Sequence, residues 1–512
     1  MHRLVASIAT PLLDDAVRAL RRLPACVDAA EIRLDALWPG PPDADAATDA
    51  LLALTEAATV PLVATLRPLR QGGAFSGDEQ VRVGLLASAL AAGFAHADIE
   101  ADVATPPLSA ELARTGGSII VSSHVVGPTP CRDDGLKALT AAQDAGGILD
   151  KFAFAGHSYT DTLRALELAS GHAARGGHPI VSTTGHGGAP LRALLAIVGN
   201  QATYGHAPDS PPAAQGQPDV RDVAALWDDW GLTKPDLDPT GGPRSWLAVL
   251  GHPIDGSLSP RIHNAALRAA GRPERFGALD VPASPGALLL TLHAATRIGL
   301  CAASITMPHK ADAARAAAPD SVAQAVGAAN CVRMTPQGAQ STNSDATALR
   351  RLLEPHVDAG APAVVLGAGG FASAAAWALR DLGAAVRFAS RDATRAAAMA
   401  KRYGAKWTAW EQRHELRAPV WIQATPIGRV VREESPVPAA QLRGATLAIE
   451  ANYTAGPTAF QRHAAAAGAT VVDGRTVLLE QGVDAFRFWF GKEPDRAAMA
   501  EALRPRTLEA VA

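Results

Sequence analysis

The feature that most constrains this chain is an alternation repeated eight times in its first 228 residues. Short apolar runs recur at wide, regular spacing: VASIA (5–9), AEIRLD (30–35), PLVATLR (61–67), HADIE (96–100), SIIVSSH (118–124), LDKFAFA (149–155), PIVSTTG (179–185) and ATYGH (202–206). Between them lie Ala/Leu-rich stretches of helical periodicity, such as EQVRVGLLASALAAG. Strands alternating with helices predict a parallel sheet. Eight such units are what a (β/α)8 barrel needs, with a doubly wound open sheet as the competing arrangement. Polar residues fall where the runs end: Glu31 and Arg33, Arg67, Glu100, His124 and Lys151. In a barrel those ends converge on one mouth, where chemistry sits.

A Pro/Gly/Asp-rich stretch over 229–244 reads as a linker. A second α/β half follows it, with runs SWLAVLG (245–251), RFGALDV (275–281), CAASITM (301–307), NCVRM (330–334), AVRFAS (385–390), VWIQAT (420–425), LAIEANY (447–453) and TVVD (470–473). The predicted division is a barrel over 1–228, the linker, a first lobe over 245–350, a nucleotide-binding lobe over 351–475, and a C-terminal helical segment, 476–512, that returns to the first lobe.

Composition narrows the function classes. A formal net charge of -3 over 512 residues argues against a nucleic-acid or anionic-membrane partner held by bulk charge. No apolar run is long enough to span a bilayer, and the N-terminus lacks the pattern of a secretory signal. Four cysteines without a C-x-x-C pair argue against a disulfide framework or a structural metal site, and for a reducing, cytoplasmic setting. No metal is expected.

Lys151 lies inside an apolar run, where desolvation lowers a lysine pKa and makes a usable amine nucleophile. His124 ends the preceding strand, so a barrel sets its imidazole beside that amine. A lysine that forms a Schiff base needs such a neighbour to move a proton at the adjacent carbon. Arg33, Arg67 and Arg192 supply cations suited to a carboxylate.

EIRLD (31–35), TLRPLRQGG (65–73), DIE (98–100), VSSH (121–124), DKFAF (150–154), LRALL (191–195) and VGNQATYG (198–205) together resemble the type I 3-dehydroquinate dehydratases, over about residues 3–222. The resemblance implies a Schiff base at Lys151 and proton transfer by His124, with Glu31, Arg33, Arg67, Arg192 and Gln217 positioning the substrate. Two departures stand out. Gln71 replaces the family's usual glutamate, whose carboxylate would pair with the histidine. The closing loop reads Ala213-Ala214-Gln215-Gly216-Gln217, without the usual hydroxyl at 213. Losing one neutral hydrogen bond costs about 0.5–1.5 kcal/mol, so weakened rather than abolished dehydration is expected.

In the second half, Gly367-Ala368-Gly369-Gly370-Phe371-Ala372 follows a strand and opens a helix, as a pyrophosphate site requires. The next strand ends at Ser390, where NAD-selective chains often carry an acid, and Arg391 follows. A guanidinium there favours a 2′-phosphate, hence NADP over NAD, although Asp392 is adjacent. GHPIDGSLSPRIHN (251–264), TMPHK (306–310), GAANCV (327–332), TNSD (342–345), QATPIG (423–428) and DGRTVLLEQG (473–482) resemble the shikimate dehydrogenases, over about 246–500. The resemblance implies a Lys310/Asp345 proton-handling pair. It also implies Ser257 and Ser259 on a substrate carboxylate, Thr306, Asn330, Tyr453 and Gln481 on its hydroxyls, and Thr425 beside the cofactor.

The expected fold is therefore a TIM barrel followed by a two-lobed shikimate dehydrogenase with an α/β substrate lobe and a Rossmann lobe. The order of halves resembles the plant-type fused enzyme of the shikimate pathway. It implies dehydration of 3-dehydroquinate to 3-dehydroshikimate, then NADPH-dependent reduction to shikimate, by a monomer or homodimer. Two other readings are a quinate/shikimate dehydrogenase with a weakened barrel, and a metabolite-sensing module without turnover.

Overall fold

The computed structural model describes residues 3–238, 245–454 and 456–504. The chain divides into two compact units, with the main changeover between Trp246 and Leu247. The part of the expected linker over 239–244, and the end of the C-terminal segment over 505–512, lie outside the described residues.

The first unit holds eight parallel strands: β1 (Arg3–Ile8), β2 (Ala29–Arg33), β3 (Leu62–Thr65), β4 (His96–Glu100), β5 (Ser118–Val125), β6 (Leu149–Gly156), β7 (Pro179–Gly185) and β8 (Ala202–His206). Their order, β7-β6-β5-β4-β3-β2-β1-β8, brings the first strand beside the last. Register is parallel throughout, for example Ser7 with Glu31 and Ser122 with Lys151. At the seam between β7 and β8 a side chain supplies ladder bonds. Asn200 accepts from the Val181 N–H at 2.9 Å and donates to the Val181 carbonyl at 2.9 Å. Val5, Ala29, Val63, Ile120, Ile180, Ala202 and Tyr204 form an interior core. A barrel centre packed in this way is a floor for the mouth above it, not a channel.

The second unit carries two further sheets. One has the order β10-β9-β11-β13-β14-β12, from β9 (Trp246–Gly251), β10 (Arg275–Asp280), β11 (Leu300–Ile305), β12 (Ala318–Pro319), β13 (Cys331–Thr335) and β14 (Gly338–Thr342). β13 runs antiparallel to both β11 and β14. The hairpin strand β14 is absent from the sequence expectation: GAQST is polar and half-exposed, so it shows no apolar run. The other sheet comprises β15 (Pro362–Leu366), β16 (Ala385–Ser390), β17 (Lys406–Ala409), β18 (Val420–Gln423), β19 (Leu447–Glu450) and β20 (Thr470–Val472). All are parallel, in the order β17-β16-β15-β18-β19-β20. This is the doubly wound dinucleotide-binding order, in which ligands bind at the carboxyl ends of the strands where the order reverses. That point lies between β15 and β18.

Candidate active sites

The barrel side chains surround a cavity of about 190 Å³. Lys151 lines it from early in β6, and the strand continues to Gly156, so the lysine is not at a strand end as the sequence suggests. Its Nζ donates to Asp98 Oδ2 at 2.8 Å and to Glu31 Oε1 at 3.0 Å. Burial alone lowers the ammonium pKa, but these two carboxylates outweigh it and hold the pKa above the ordinary lysine value. The expectation of a lowered pKa is corrected accordingly. It considered the apolar run and not the carboxylates that other strands bring to it.

His124 lines the same cavity. Burial, reinforced by the charges of Arg67 and Lys151, holds its pKa well below 6.5, so the imidazole is neutral at pH 7. Gln71 does not bond to the ring. Its Oε1 accepts from the His124 backbone N–H at 3.1 Å, and its Nε2 donates to Asp102 at 3.1 Å. His124 Nδ1 is buried without a hydrogen-bond partner among the described residues.

The three arginines differ in how much charge they have spare. Arg67 donates to Glu100 and Ser122 at 2.7 Å and lies 3.1 Å from Asp98. Arg33 forks onto Asp35 at 2.9 and 2.8 Å. Arg192 donates only to backbone carbonyls, those of Tyr204 at 2.8 Å and Thr183 at 3.1 Å. Among the described residues no carboxylate pairs with Arg192, and burial alone lowers its pKa to about 10. A buried guanidinium in that state is compensated by an anionic ligand. Glu31 also accepts from Ser7 at 2.7 Å and Thr65 at 2.9 Å.

Gln217 donates to Ser7 at 3.0 Å and accepts from the Ala213 N–H at 2.8 Å, folding the 213–217 loop against the cavity. Gly216, at φ 72, fits there because a Cβ would meet the Gly185 carbonyl at 2.4 Å.

The second cavity, of about 220 Å³, lies in the second unit. Lys310 opens the helix Lys310–Ala316, and Asp345 lies in the first turn of Ser344–Leu353. Asn343 caps that helix, accepting from the Ala346 N–H at 3.0 Å, which sets the direction of its first turn. Lys310 Nζ donates to Asp345 Oδ2 at 2.5 Å. Ser257, Ser259, Thr306 and Tyr453 line the cavity around this pair. Asn330 accepts from the Ser344 N–H at 2.7 Å, and Gln481 accepts from Ser344 Oγ at 3.2 Å, so both amides are held in place. Ser304 lines the cavity with a buried hydroxyl that has no partner among the described residues.

The glycine turn sits between β15 and the helix Gly370–Asp381, whose N-terminus no side chain caps. Gly367 has φ 113, and a Cβ on it would meet the Ala424 carbonyl at 2.9 Å. Gly369 faces open space, leaving room for a ligand over Ala368 and the free N–H groups of Gly370, Phe371 and Ala372. Phe371 and Thr425 also line the cavity, and both Thr425 donors are held by Gln423 Oε1, at 3.1 and 3.0 Å. Ser390 is buried at the end of β16, while Arg391 is exposed with no ion pair among the described residues. Asp392 is turned to other work. It caps the helix Ala393–Tyr403 through the Arg395 N–H at 2.9 Å and pairs with the Arg395 side chain at 3.2 Å. The turn and helix end therefore fit a dinucleotide phosphate, and the strand end offers it a cation.

Three segments of the chain match known families. Residues 4–228 match the family Type I 3-dehydroquinase, 249–332 the Shikimate dehydrogenase substrate binding domain, and 474–504 the Shikimate 5'-dehydrogenase C-terminal domain. The Shikimate dehydrogenase (NADP(+)) of Halobacterium salinarum is 37% identical over 262 residues, which is 50% of this chain and 98% of that protein. The chain belongs to the shikimate dehydrogenase family.

The corresponding protein of Anaeromyxobacter dehalogenans is 38% identical over 276 residues, 52% of this chain and 98% of its own. A solved shikimate 5-dehydrogenase from Thermus thermophilus is 34% identical, with 50% of this chain and 98% of that one covered and a TM-score of 0.46. By its matched segments, the chain is a shikimate dehydrogenase fused behind a type I 3-dehydroquinase domain.

Several site residues escape sequence reasoning. Asp98, Ser7 and Tyr204 in the 3-dehydroquinase domain were not singled out, nor were Asn452 and Arg429 in the dehydrogenase domain. Asp98 had a signal, since a carboxylate inside the strand HADIE demands a buried cation. Asn452 had none: its amide donates to the Thr425 carbonyl at 2.9 Å and the Ile427 carbonyl at 3.0 Å, joining two loops distant in sequence.

Proposed function

We propose that the chain catalyses two consecutive steps, dehydration of 3-dehydroquinate to 3-dehydroshikimate in the barrel and NADPH-dependent reduction of that product to shikimate in the second unit. The observation that carries this reading is that the cavity at the barrel strands and the cavity beside the glycine turn are each lined by a lysine in contact with carboxylate.

In the barrel, Arg192 receives the substrate carboxylate, because no carboxylate among the described residues pairs with it. Glu31, Arg33, Arg67 and Gln217 set the ring and its hydroxyls. Lys151 gives up a proton and its lone pair adds to the ketone; loss of water leaves an iminium at Nζ. Neutral His124 removes the proton from the neighbouring carbon, electrons flow to expel the hydroxyl, and the imidazolium returns the proton to it as water leaves. Hydrolysis of the iminium releases product and restores the amine.

In the second unit, Ser257 and Ser259 hold the carboxylate, and Thr306, Asn330, Tyr453 and Gln481 hold the hydroxyls. Gly367 to Ala372 would cradle the pyrophosphate, Ser390 and Arg391 the adenine ribose with its 2′-phosphate, and Thr425 the nicotinamide end. NADPH, when bound, supplies a hydride. Lys310 delivers the proton to the developing alkoxide, with Asp345 holding the ammonium in place.

A second reading is favoured by one observation, the unsupported Nδ1 of His124: a quinate/shikimate dehydrogenase whose barrel turns over slowly. The net charge of -3 and the free cysteines Cys26, Cys131, Cys301 and Cys331 support a cytoplasmic protein acting on small molecules as a monomer or homodimer.

The test is NADPH consumption from 3-dehydroquinate, with Lys151→Ala and Lys310→Ala as separate variants. Lys151→Ala stops consumption from 3-dehydroquinate and spares it from 3-dehydroshikimate; Lys310→Ala stops both. Wild-type chain that leaves 3-dehydroshikimate unreduced overturns the assignment, and dehydration far below reduction selects the second reading.

A further inference from the structure

We infer that Tyr204 is a positioning residue of the dehydratase step: its ring face holds the nitrogen of Lys151 as a cation, the ammonium at rest and the iminium during turnover. The iminium part rests on the Schiff-base reading above; the ammonium part does not.

Four observations meet at this tyrosine. Lys151 Nζ stands 4.2 Å from the centroid of the Tyr204 ring. Tyr204 is buried, lines the barrel cavity and belongs to the interior core, so the ring is the part of the barrel floor that the amine meets. Its hydroxyl has no hydrogen-bond partner among the described residues, and burial pushes the phenol pKa up, so the ring carries no charge to act through. Its backbone carbonyl meanwhile accepts from Arg192 at 2.8 Å, so one residue of β8 touches both the amine and the spare guanidinium.

Around Nζ the charged and titratable neighbours are Asp98 from β4, Glu31 from β2, Arg67 after β3 and His124 from β5. Asp98 and Glu31 bind the ammonium through its N–H groups. An iminium has lost most of those N–H donors, because a neutral amine, a ketone and one proton give an iminium and one water. Its positive charge remains. A ring face attracts that charge without needing an N–H, and the attraction is strongest where water is excluded. The carboxylates therefore serve mainly the resting amine, whereas the ring serves both states.

Position 204 is probed with Tyr204→Phe, Tyr204→Leu, and phenylalanines of increasing fluorination, which weaken the ring quadrupole at nearly constant shape. The first readout needs no substrate: the pH midpoint of Lys151 acylation by acetic anhydride, followed by mass spectrometry. Tyr204→Phe keeps the wild-type midpoint, Tyr204→Leu lowers it by about one pH unit, and the fluorinated series lowers it stepwise. The second readout is borohydride trapping with 3-dehydroquinate, where the trapped fraction falls in the same order. A midpoint unmoved by Leu or by fluorination overturns the inference, as does Phe matching Leu. If wild-type chain traps no adduct while the midpoints still move, the Schiff-base reading is what fails. The fluorinated series keeps the test open if the leucine variant does not fold.

Discussion

The aliphatic stem of Lys310 lies directly on the backbone of Gly370. A Cβ at position 370 would come within 3.0 Å of Lys310 Cδ and 3.3 Å of its Cβ. The lysine proposed to handle the proton thus rests on the first residue of the helix that opens at the glycine turn. Close packing at this point ties the position of the acid to the position of the cofactor turn, and misplacement by about 1 Å can cost about 100-fold in rate.

Gly370→Ala is therefore expected to lower kcat for 3-dehydroshikimate reduction by about tenfold to 100-fold, with a smaller change in KM. Gly369→Ala places its methyl in open space, where phosphate would lie. It should raise the KM for NADPH instead. Steady-state kinetics of the two variants checks this, and identical profiles would contradict it.

In the proposed site Arg391 sets cofactor choice, since Asp392 is committed to Arg395. Replacing Arg391 with Ser is expected to raise the KM for NADPH about tenfold, the worth of one charge-assisted contact, and to leave the KM for NADH unchanged.

With His124 as the proposed base, the pH dependence of dehydration follows from its environment. Its pKa is depressed by burial and by Arg67 and Lys151, so the basic form persists on acidification. The acid limb of kcat/KM assigned to this group should lie below pH 6.5. Gln71→Glu adds a negative charge near the ring and should move that limb upward by less than about one unit, since the side chain at 71 contacts the His124 backbone rather than the imidazole. A pH–rate profile of both proteins tests the direction.

Asp98 is the clearest stability test. Burial raises its pKa, but Arg67 and Lys151 outweigh this, and the folded value lies below the ordinary 3.8. A depressed folded pKa contributes stability that is complete above the unfolded value and lost as pH falls through the folded one. Asp98→Asn removes a carboxylate from two buried cations and should cost the barrel about 3 kcal/mol at neutral pH. Denaturant titrations at pH 7 and in acid check both points: the variant is weaker at pH 7 and loses less on acidification below pH 3.8.

Much of this was legible in residue order. HADIE, PIVSTTG, ATYGH and AVRFAS are strands with the bounds read from the sequence, because each short run stands apart from the longer stretches of helical periodicity around it. The hairpin strand Gly338–Thr342 was not legible, since it is polar and takes its structure from the ladder with β13. Lys151 and His124 could be named as ionisable groups at apolar runs, whereas Lys310 and Asp345 were implied by the resemblance of TMPHK and TNSD to the shikimate dehydrogenases.

What the sequence by itself determined was therefore the alternation of elements and the glycine turn, both of which depend on neighbours along the chain, and it offered the candidate reactive groups. What only the tertiary structure decided was the electrostatic state of those groups. Asp98 and Glu31 reach Lys151 from strands 53 and 120 residues away and reverse the direction of its pKa shift. Asp392 is drawn off by a helix cap, and of Arg33, Arg67 and Arg192 only Arg192 is left without a carboxylate among the described residues. Charge interactions act through space over a few ångströms, so they follow from which strands the barrel closes together and not from spacing along the chain.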